Sequence, residues 1–96
     1  MLKLIGLAYR AKKVAVGTEL VLNKVRQKQV FLVMIATDTS QGTKKKVYDK
    51  CKTYQVEVME MFASNEISEA IGKRDIKVLG ITDQGFSKAL ITRGRK

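Results

Sequence analysis

The sequence has 96 residues, which suffice for one small domain, and we expect residues 1–96 to form a single domain. It contains no histidine and one cysteine, Cys51, which excludes an internal disulfide, a zinc centre of cysteines and histidines, and catalysis by a histidine base. Hydrophobic residues make up 45% of the chain, which predicts a true core, and the formal net charge of +10 favours a polyanionic partner.

The first third of the chain predicts two helices and two strands. Apolar residues recur at three- and four-residue steps within residues 1–11, which indicates an amphipathic helix. Val14–Val16 is a short β-prone segment that ends at Gly17, and residues 18–27 consist largely of good helix formers. The unbroken apolar run Val30–Ala36 predicts a strand that is buried on both faces.

The middle third predicts a polar loop, a helix and a strand. The loop covers residues 38–42. After it, Val47, Cys51 and Tyr54 recur at steps of four and three residues, which predicts the buried stripe of a helix whose other faces are rich in lysine. We therefore expect Cys51 in or near the core. Residues 56–61 alternate apolar and acidic side chains, which is typical of an edge strand with one solvated face.

The last third predicts a helix, a strand and a final helix. A short helix over residues 65–71 is predicted to be capped by Ser64 or Asn65, and residues 76–81 form a mostly buried strand. Asp83 is the predicted cap of the last helix. Strands that alternate with helices of this length predict an α/β domain with helices on both faces of a small sheet, and they leave the strand order open.

Most of the positive charge lies in one half of the chain. Residues 1–53 hold twelve of the 19 Lys and Arg residues but only three of the nine Asp and Glu residues. Phosphate neutralisation needs many cations on one side, which favours nucleic acid over an anionic membrane surface. The cations form three runs, which end the first two predicted helices and line the third: Arg10, Lys12 and Lys13; Lys24, Arg26 and Lys28; Lys44, Lys45, Lys46, Lys50 and Lys52.

Catalytic signatures are absent from the sequence. Neither of the glycine-rich patterns that bind dinucleotides or triphosphates occurs. Glu57 and Glu60 would point to opposite faces of a strand, and Glu66 and Glu69 would be solvated neighbours on a helix. We expect no enzyme activity, no cofactor and no metal site.

Five segments occur in a familiar order and spacing: Gly6–Lys13, Gly17–Thr18, Val30–Ala36 with Asp38 after it, Ile67–Lys73 and Thr82–Phe86. Together they resemble the kink-turn-binding family of ribosomal proteins of the L7Ae and L30e type, and most closely its short bacterial YlxQ-type members. The resemblance implies a three-layer α-β-α sandwich with a four-stranded mixed sheet. It also implies binding to sharply bent RNA stems that carry tandem sheared G·A pairs.

The same resemblance implies which residues contact RNA. In the family, a helix that begins at a glycine enters the groove beside the G·A pairs, and the loop after the fourth helix holds a flipped-out nucleotide. Transferred to this chain, the helix start is Gly17, Thr18, Glu19 and Leu20, supported by Lys13 before it and by Asn23 or Lys24 after it. The other two segments are Thr37, Asp38 and Thr39, and Ala70, Ile71, Gly72, Lys73 and Arg74. On charge alone, Lys44, Lys45 and Lys46 add attraction to the RNA backbone.

The chain departs from the family at the helix start. Where the archetypes have Asn and Glu, this chain has Glu19 and Leu20, and the usual helix lysine is replaced by Asn23, with Lys24 one step further on. A carboxylate only accepts hydrogen bonds, so Glu19 can take an amino or imino proton but cannot pair with guanine O6 or N7. Leu20 reads no base edge. We therefore expect RNA binding with a moderate preference for kink-turns.

The sequence thus predicts a cytoplasmic, non-enzymatic RNA-binding protein for structured, kink-turn-like RNA, with ribosomal RNA and the ribosome as partners. We expect no membrane partner, because the longest apolar run, Val30–Ala36, is far shorter than the roughly 20 residues that span a bilayer. Two alternatives stay open. One is a protein-interaction module on the same fold whose basic face meets an acidic partner. The other is the substrate-RNA domain of an enzyme, without its catalytic domain.

Overall fold

Helices and strands alternate along the chain. The computed structural model describes residues 1–94. The helices are α1 (Leu2–Arg10), α2 (Thr18–Arg26), α3 (Gln41–Thr53), α4 (Ser64–Ile71) and α5 (Gln84–Gly94), and the strands are β1 (Val14–Val16), β2 (Leu32–Ile35), β3 (Glu57–Met59) and β4 (Val78–Ile81). Each predicted element is present, and three of the four strands are shorter than their apolar segments. No helix within residues 1–94 has the length and apolar character of a membrane span.

The four strands form one mixed sheet in the order β1-β4-β2-β3. Strand β4 is antiparallel to both β1 and β2, and β3 is parallel to β2. Every residue of β2 and β4 is buried, as expected for central strands with helices on both faces. Strand β3 lies at the edge of the sheet, which confirms the prediction drawn from its alternating acidic side chains.

Two apolar clusters on opposite faces of the sheet make the fold a three-layer α-β-α sandwich. Helices α1, α4 and α5 pack on one face, where Leu32 and Met34 of β2 point. Helices α2 and α3 pack on the other, against Val33 and Ile35 of the same strand. This alternation follows from the pleat, which sends successive side chains to opposite faces. Cys51 belongs to the second cluster and is 1% exposed, which confirms its predicted position in the core.

Helices α1 and α4 approach closely through Gly6. A Cβ atom at this position would lie 2.8 Å from the backbone oxygen of Ala70, so any larger residue would push the two helices apart. The contact explains why the first helix carries a glycine in its interior, where that residue costs about 1 kcal/mol of helix propensity.

The structure confirms one predicted helix cap, that of α5, and corrects another, that of α4. The Asp83 carboxylate accepts a hydrogen bond from the Phe86 N–H at 2.9 Å and caps α5, as predicted. The predicted cap of α4 is wrong: Ala63 is the capping residue, and its own N–H donates to the Glu66 side chain at 3.0 Å. Ser64 is already helical, and its hydroxyl has a different partner, described below.

Candidate nucleic-acid interface

Three of the predicted RNA-binding segments lie together at one end of the strands of the sheet. Strands β1 and β2 both end where β4 begins: the Gly17 N–H donates to the Val78 oxygen at 3.0 Å, and the Ala36 N–H donates to the Lys77 oxygen at 2.8 Å. The start of α2, the loop after β2 and the loop before β4 are therefore neighbours. We call this surface, formed by residues 17–20, 37–39 and 72–74, the loop edge.

The start of α2 presents unoccupied backbone N–H groups at the loop edge. Gly17 has φ of 101°, in the left-handed region that favours glycine, and no side chain caps the helix. The first helical bond is the Val21 N–H to the Gly17 oxygen at 3.0 Å, so the N–H groups between these residues are available to an anion. Leu20 in this first turn is 48% exposed.

Glu19 in the same turn is paired with α3. Its carboxylate accepts a hydrogen bond from Lys46 Nζ at 2.8 Å, and that contact holds the pKa of Glu19 below its ordinary value. Both side chains are more than half exposed, so the pair contributes little to stability. Its consequence is local, because it fixes where the carboxylate of Glu19 lies at the loop edge.

Asp38 ties the loop after β2 to two other elements. Its carboxylate accepts from the Ser64 N–H at 2.7 Å, from the Ser64 hydroxyl at 2.6 Å and from Lys77 Nζ at 3.2 Å. The Ser64 hydroxyl, then the Ser64 backbone N–H and Lys77, hold the pKa of Asp38 well below its usual range. The neighbouring Thr39 side chain is buried, and its hydroxyl has no hydrogen-bond partner within residues 1–94. The Thr39 side chain therefore points into the protein, whereas the Asp38 side chain lies at the surface and shapes the loop through its bonds to Ser64 and Lys77.

Lys44 holds the same loop from α3. Its ammonium group donates to the Thr37 oxygen at 3.0 Å and to the Glu60 carboxylate at 2.9 Å, and its side chain is only 17% exposed. The Tyr48 hydroxyl donates to the other oxygen of Glu60 at 2.9 Å. Lys44 and then Tyr48 lower the pKa of Glu60, while burial and then Glu60 raise the pKa of Tyr48 to about 12.

The three consecutive lysines of α3 have three different acidic partners. Lys44 pairs with Glu60, Lys45 lies 3.5 Å from Asp49 one turn along the helix, and Lys46 pairs with Glu19. A run of three basic residues in sequence is therefore spread around the helix, as the 100° step between successive residues requires. Lys44 is held inside the fold, while Lys45 and Lys46 remain exposed.

The segment Ala70–Arg74 divides into a packed part and an exposed part. Ala70 packs against Gly6, and Ile71 belongs to the core. Gly72 ends α4 in the left-handed conformation with φ of 69°, and Lys73 and Arg74 after it are exposed. Neither of these two cations has a side-chain hydrogen bond or ion pair to the described part of the chain.

One buried residue of α4, Ser68, anchors the loop before β4. The Ser68 side chain on α4 accepts the Ile76 N–H at 2.8 Å, and the Ser68 backbone oxygen accepts the Lys73 N–H at 2.9 Å. Ser68 is 4% exposed, so these bonds hold both ends of the exposed loop from inside the protein. Ser68 lies within the segment Ile67–Lys73 that supports the family resemblance, but its anchoring role could not be predicted because it depends on a residue eight positions away.

Lys13, Asn23 and Lys24 are not brought to the loop edge. The Lys13 oxygen accepts the Thr82 N–H at 2.8 Å at the opposite end of β1, which is four strand residues, or about 13 Å, from Gly17. Asn23 lies more than a turn into α2 and accepts from Arg26 at 2.7 Å. Lys24 lines a groove beside β1. The resemblance implies that these residues support the RNA beside the helix start, and that role stays a prediction.

The described residues do not combine into a metal site. No group of three or more Cys, Asp or Glu side chains within residues 1–94 is arranged to hold a metal ion. Among the described residues, the loop edge offers backbone N–H groups, the exposed cations Lys73 and Arg74, and the two carboxylates of Glu19 and Asp38, which are held by lysines.

Comparisons with known proteins agree with this architecture. Residues 1–91 match the model of the ribosomal protein L7Ae/L30e/S12e/Gadd45 family. The chain is 46% identical over 87 residues to the RNA-binding protein YlxQ of Enterococcus faecium, covering 91% of this chain and 84% of that protein. It is 40% identical over 89 residues to the RNA-binding protein YlxQ of Bacillus subtilis (strain 168), covering 93% and 89%.

Solved structures share the fold. A protein of unknown function from Bacillus halodurans C superposes with a TM-score of 0.96 at 39% identity, over 99% of this chain and 96% of that one. The Giardia lamblia 15.5kD RNA binding protein superposes with a TM-score of 0.82 over 98% and 83%, and its 16% identity makes it a likeness of fold alone. The extent of the family match and the identity to the curated relatives show that the chain belongs to the ribosomal protein L7Ae/L30e/S12e/Gadd45 family.

Proposed function

We propose that the chain is a non-enzymatic RNA-binding protein that recognises structured, kink-turn-like RNA through the loop edge. The observation that carries the proposal is the pair of backbone bonds from Gly17 to Val78 and from Ala36 to Lys77, which makes the three segments neighbours. Family membership and the printed function of the YlxQ relatives support RNA as the ligand class. Ribosomal RNA, a cytoplasmic location and one domain over residues 1–96 belong to the same proposal.

The residues of the loop edge have different roles in this proposal. The free N–H groups at the start of α2 receive an RNA phosphate, and Lys73 and Arg74 neutralise neighbouring phosphates. Glu19 accepts an amino or imino proton from a base, while Lys46 keeps its carboxylate in place and offers a cation to the RNA backbone. Asp38 and Lys44 act through the loop that they hold, so they are positioning residues. Lys45 and the other exposed cations supply long-range attraction from a basic face.

The proposal is tested by fluorescence titration of two RNA stems at two salt concentrations. One stem contains a kink-turn, and the other has its G·A pairs replaced by Watson–Crick pairs. We expect tighter binding of the kink-turn, with a preference that persists at the higher salt concentration. Equal and strongly salt-dependent binding of both stems would show that the protein binds RNA by charge attraction alone, without recognising the kink-turn.

A matched pair of variants tests the location of the RNA surface. Lys73→Ala with Arg74→Ala removes two cations from the loop edge, and Lys50→Ala with Lys52→Ala removes two from the far part of α3. We expect only the first variant to lose the preference for the kink-turn. Equal losses in both variants would remove the loop edge from the proposal.

A further inference from the structure

Strand β1 has a free edge on the side away from β4. The Thr82 N–H bonds to the Lys13 oxygen and the Gly17 N–H bonds to the Val78 oxygen, so alternate residues of this strand face β4. By the antiparallel pattern, the N–H and C=O groups of Val14 and Val16 between them point outward. Within residues 1–94 no strand lies beyond β1, so these groups form an open template for another strand.

A groove of about 720 Å³ runs beside this edge, between β1 and α2. Its apolar part is formed by Leu20 and Phe31, which are 48% and 38% exposed, together with the β1 side chains. Exposed apolar groups of this size beside an open strand edge are suited to the side chains of an added strand.

The groove carries only one sign of charge. Lys12, Lys24 and Lys28 line it, and no acidic residue does. Lys24 lies one turn after Leu20 on α2, and Lys28 lines the groove just beyond the end of that helix at Arg26. Lys12 and Lys28 have φ of 62° and 59°, a conformation that favours glycine at helix ends. The chain holds lysine at both positions in spite of that backbone preference.

We propose that this groove binds an extended, acidic segment of a partner protein, which adds a strand to β1 with its apolar side chains on Leu20 and Phe31 and its carboxylates beside the lysines. The alternating N–H and C=O groups of Val14 and Val16 match a peptide backbone, whereas RNA offers no such ladder. A second copy of this chain would bring three lysines against three lysines, so charge opposes self-pairing. Leu20 belongs both to this groove and to the loop edge, so the two surfaces adjoin, but the inference does not rest on RNA binding.

The direct test uses a fluorescein-labelled peptide of eight residues in which valine and glutamate alternate at every second position with serine between them, so that both can face the groove. Octaglutamate and a single-stranded oligouridine serve as comparison probes. We expect saturable binding of the alternating peptide, with shifts of the Val14 and Val16 amide resonances on its addition. Equal binding of octaglutamate would reduce the groove to charge attraction and overturn the proposal. So would absence of peptide binding, or oligouridine shifting these amides where the peptide does not.

A double variant separates binding from folding. Lys12→Gly with Lys28→Gly removes two groove charges while placing glycine where the backbone favours it, so the fold is retained. Gln55 has φ of 58° at the end of α3, which makes Gln55→Gly a matched control outside the groove. We expect the double variant to bind the alternating peptide about tenfold more weakly, with the control unchanged. Unchanged affinity of the double variant would overturn the proposal, whatever the RNA titrations show.

Discussion

The two loops that meet at the loop edge are held in opposite ways. Around the loop after β2, Asp38 bonds to Ser64 and Lys77, and Lys44 bonds to Glu60. These charged side chains hold the loop backbone in place. The loop before β4 is fixed at its two ends by Ser68, which leaves its own cations exposed. A charged residue at this surface is therefore either bonded within the fold, where it positions a loop, or left exposed, where we propose that it contacts RNA.

The largest effect is expected from removing the anchor of the loop before β4. Ser68→Ala leaves the Ile76 N–H without its partner in a buried site, which costs about 1–3 kcal/mol of unfolding free energy. Ser87→Ala is the matched control, because that hydroxyl is buried without a partner in the described residues. Chemical denaturation of both variants measures the difference. Equal losses would show that the Ser68 bond contributes nothing of its own.

The next effect concerns the turn that exposes this loop. Gly72→Ala forces alanine into a left-handed conformation and costs about 1 kcal/mol of unfolding free energy. Gly42 lies inside α3 with open space around it, so Gly42→Ala leaves stability unchanged or raises it by a few tenths to about 1 kcal/mol. Thermal unfolding compares the two variants. Opposite signs are expected, and a loss at Gly42 as large as that at Gly72 would contradict the backbone explanation.

Cations at the two loops are expected to differ in their effect on RNA binding. Replacing Lys73 and Arg74 by alanine lowers the salt slope of RNA binding by about two, with no change in stability, because each cation neutralises one phosphate. Lys44→Ala instead lowers stability, because it leaves the Thr37 oxygen and Glu60 without their partner. Titrations at several salt concentrations and urea unfolding measure both quantities. A salt slope that responds to Lys44 but not to Lys73 and Arg74 would reverse the assignment.

The smallest effect is a pH dependence carried by Asp38. Its pKa is lowered in the folded protein, so its contribution to stability is present above the ordinary pKa near 3.9 and is lost as the pH falls through the folded value. Asp38→Asn removes that contribution. Urea unfolding between pH 7 and about pH 2 should show wild type more stable at neutral pH, with the gap narrowing below about pH 4. A gap that is constant over this range would contradict the role given to the charge.

Local sequence patterns predicted the helices and strands of the fold, but they could not predict the contacts between residues far apart in the sequence. Periodicity located the helices and strands, and the stripe through Cys51 located a buried face, because each depends on neighbours within a few residues. The bonds from Asp38 to Ser64 and Lys77 join residues 26 and 39 positions apart, and no pattern in the sequence reports them. The sequence left the strand order open, and Asp38 and Lys77 meet because β2 and β4 are neighbours in the sheet.

For the candidate site, the sequence predicted which segments contribute but not what each side chain contacts. The resemblance identified the three segments of the loop edge, and the structure makes them neighbours. The positive charge that pointed to Lys44 and Lys46 could not separate a lysine held in the fold from an exposed one, because the two look alike in sequence and differ only in what they touch. The resemblance also assigned Lys13 to the site, and the structure places that residue at the opposite end of β1 from Gly17, so its role stays a prediction.

The most direct test of the loop edge is a map of backbone amide resonances during titration with kink-turn RNA. We predict that the largest shifts occur at residues 17–20 and 72–74, with smaller shifts at residues 37–39, whose backbone is held by Asp38 and Lys44. Lys12 and Lys28, at the far end of the groove, should not respond. Shifts confined to the groove beside β1 or to the C-terminal half of α3 would contradict the account.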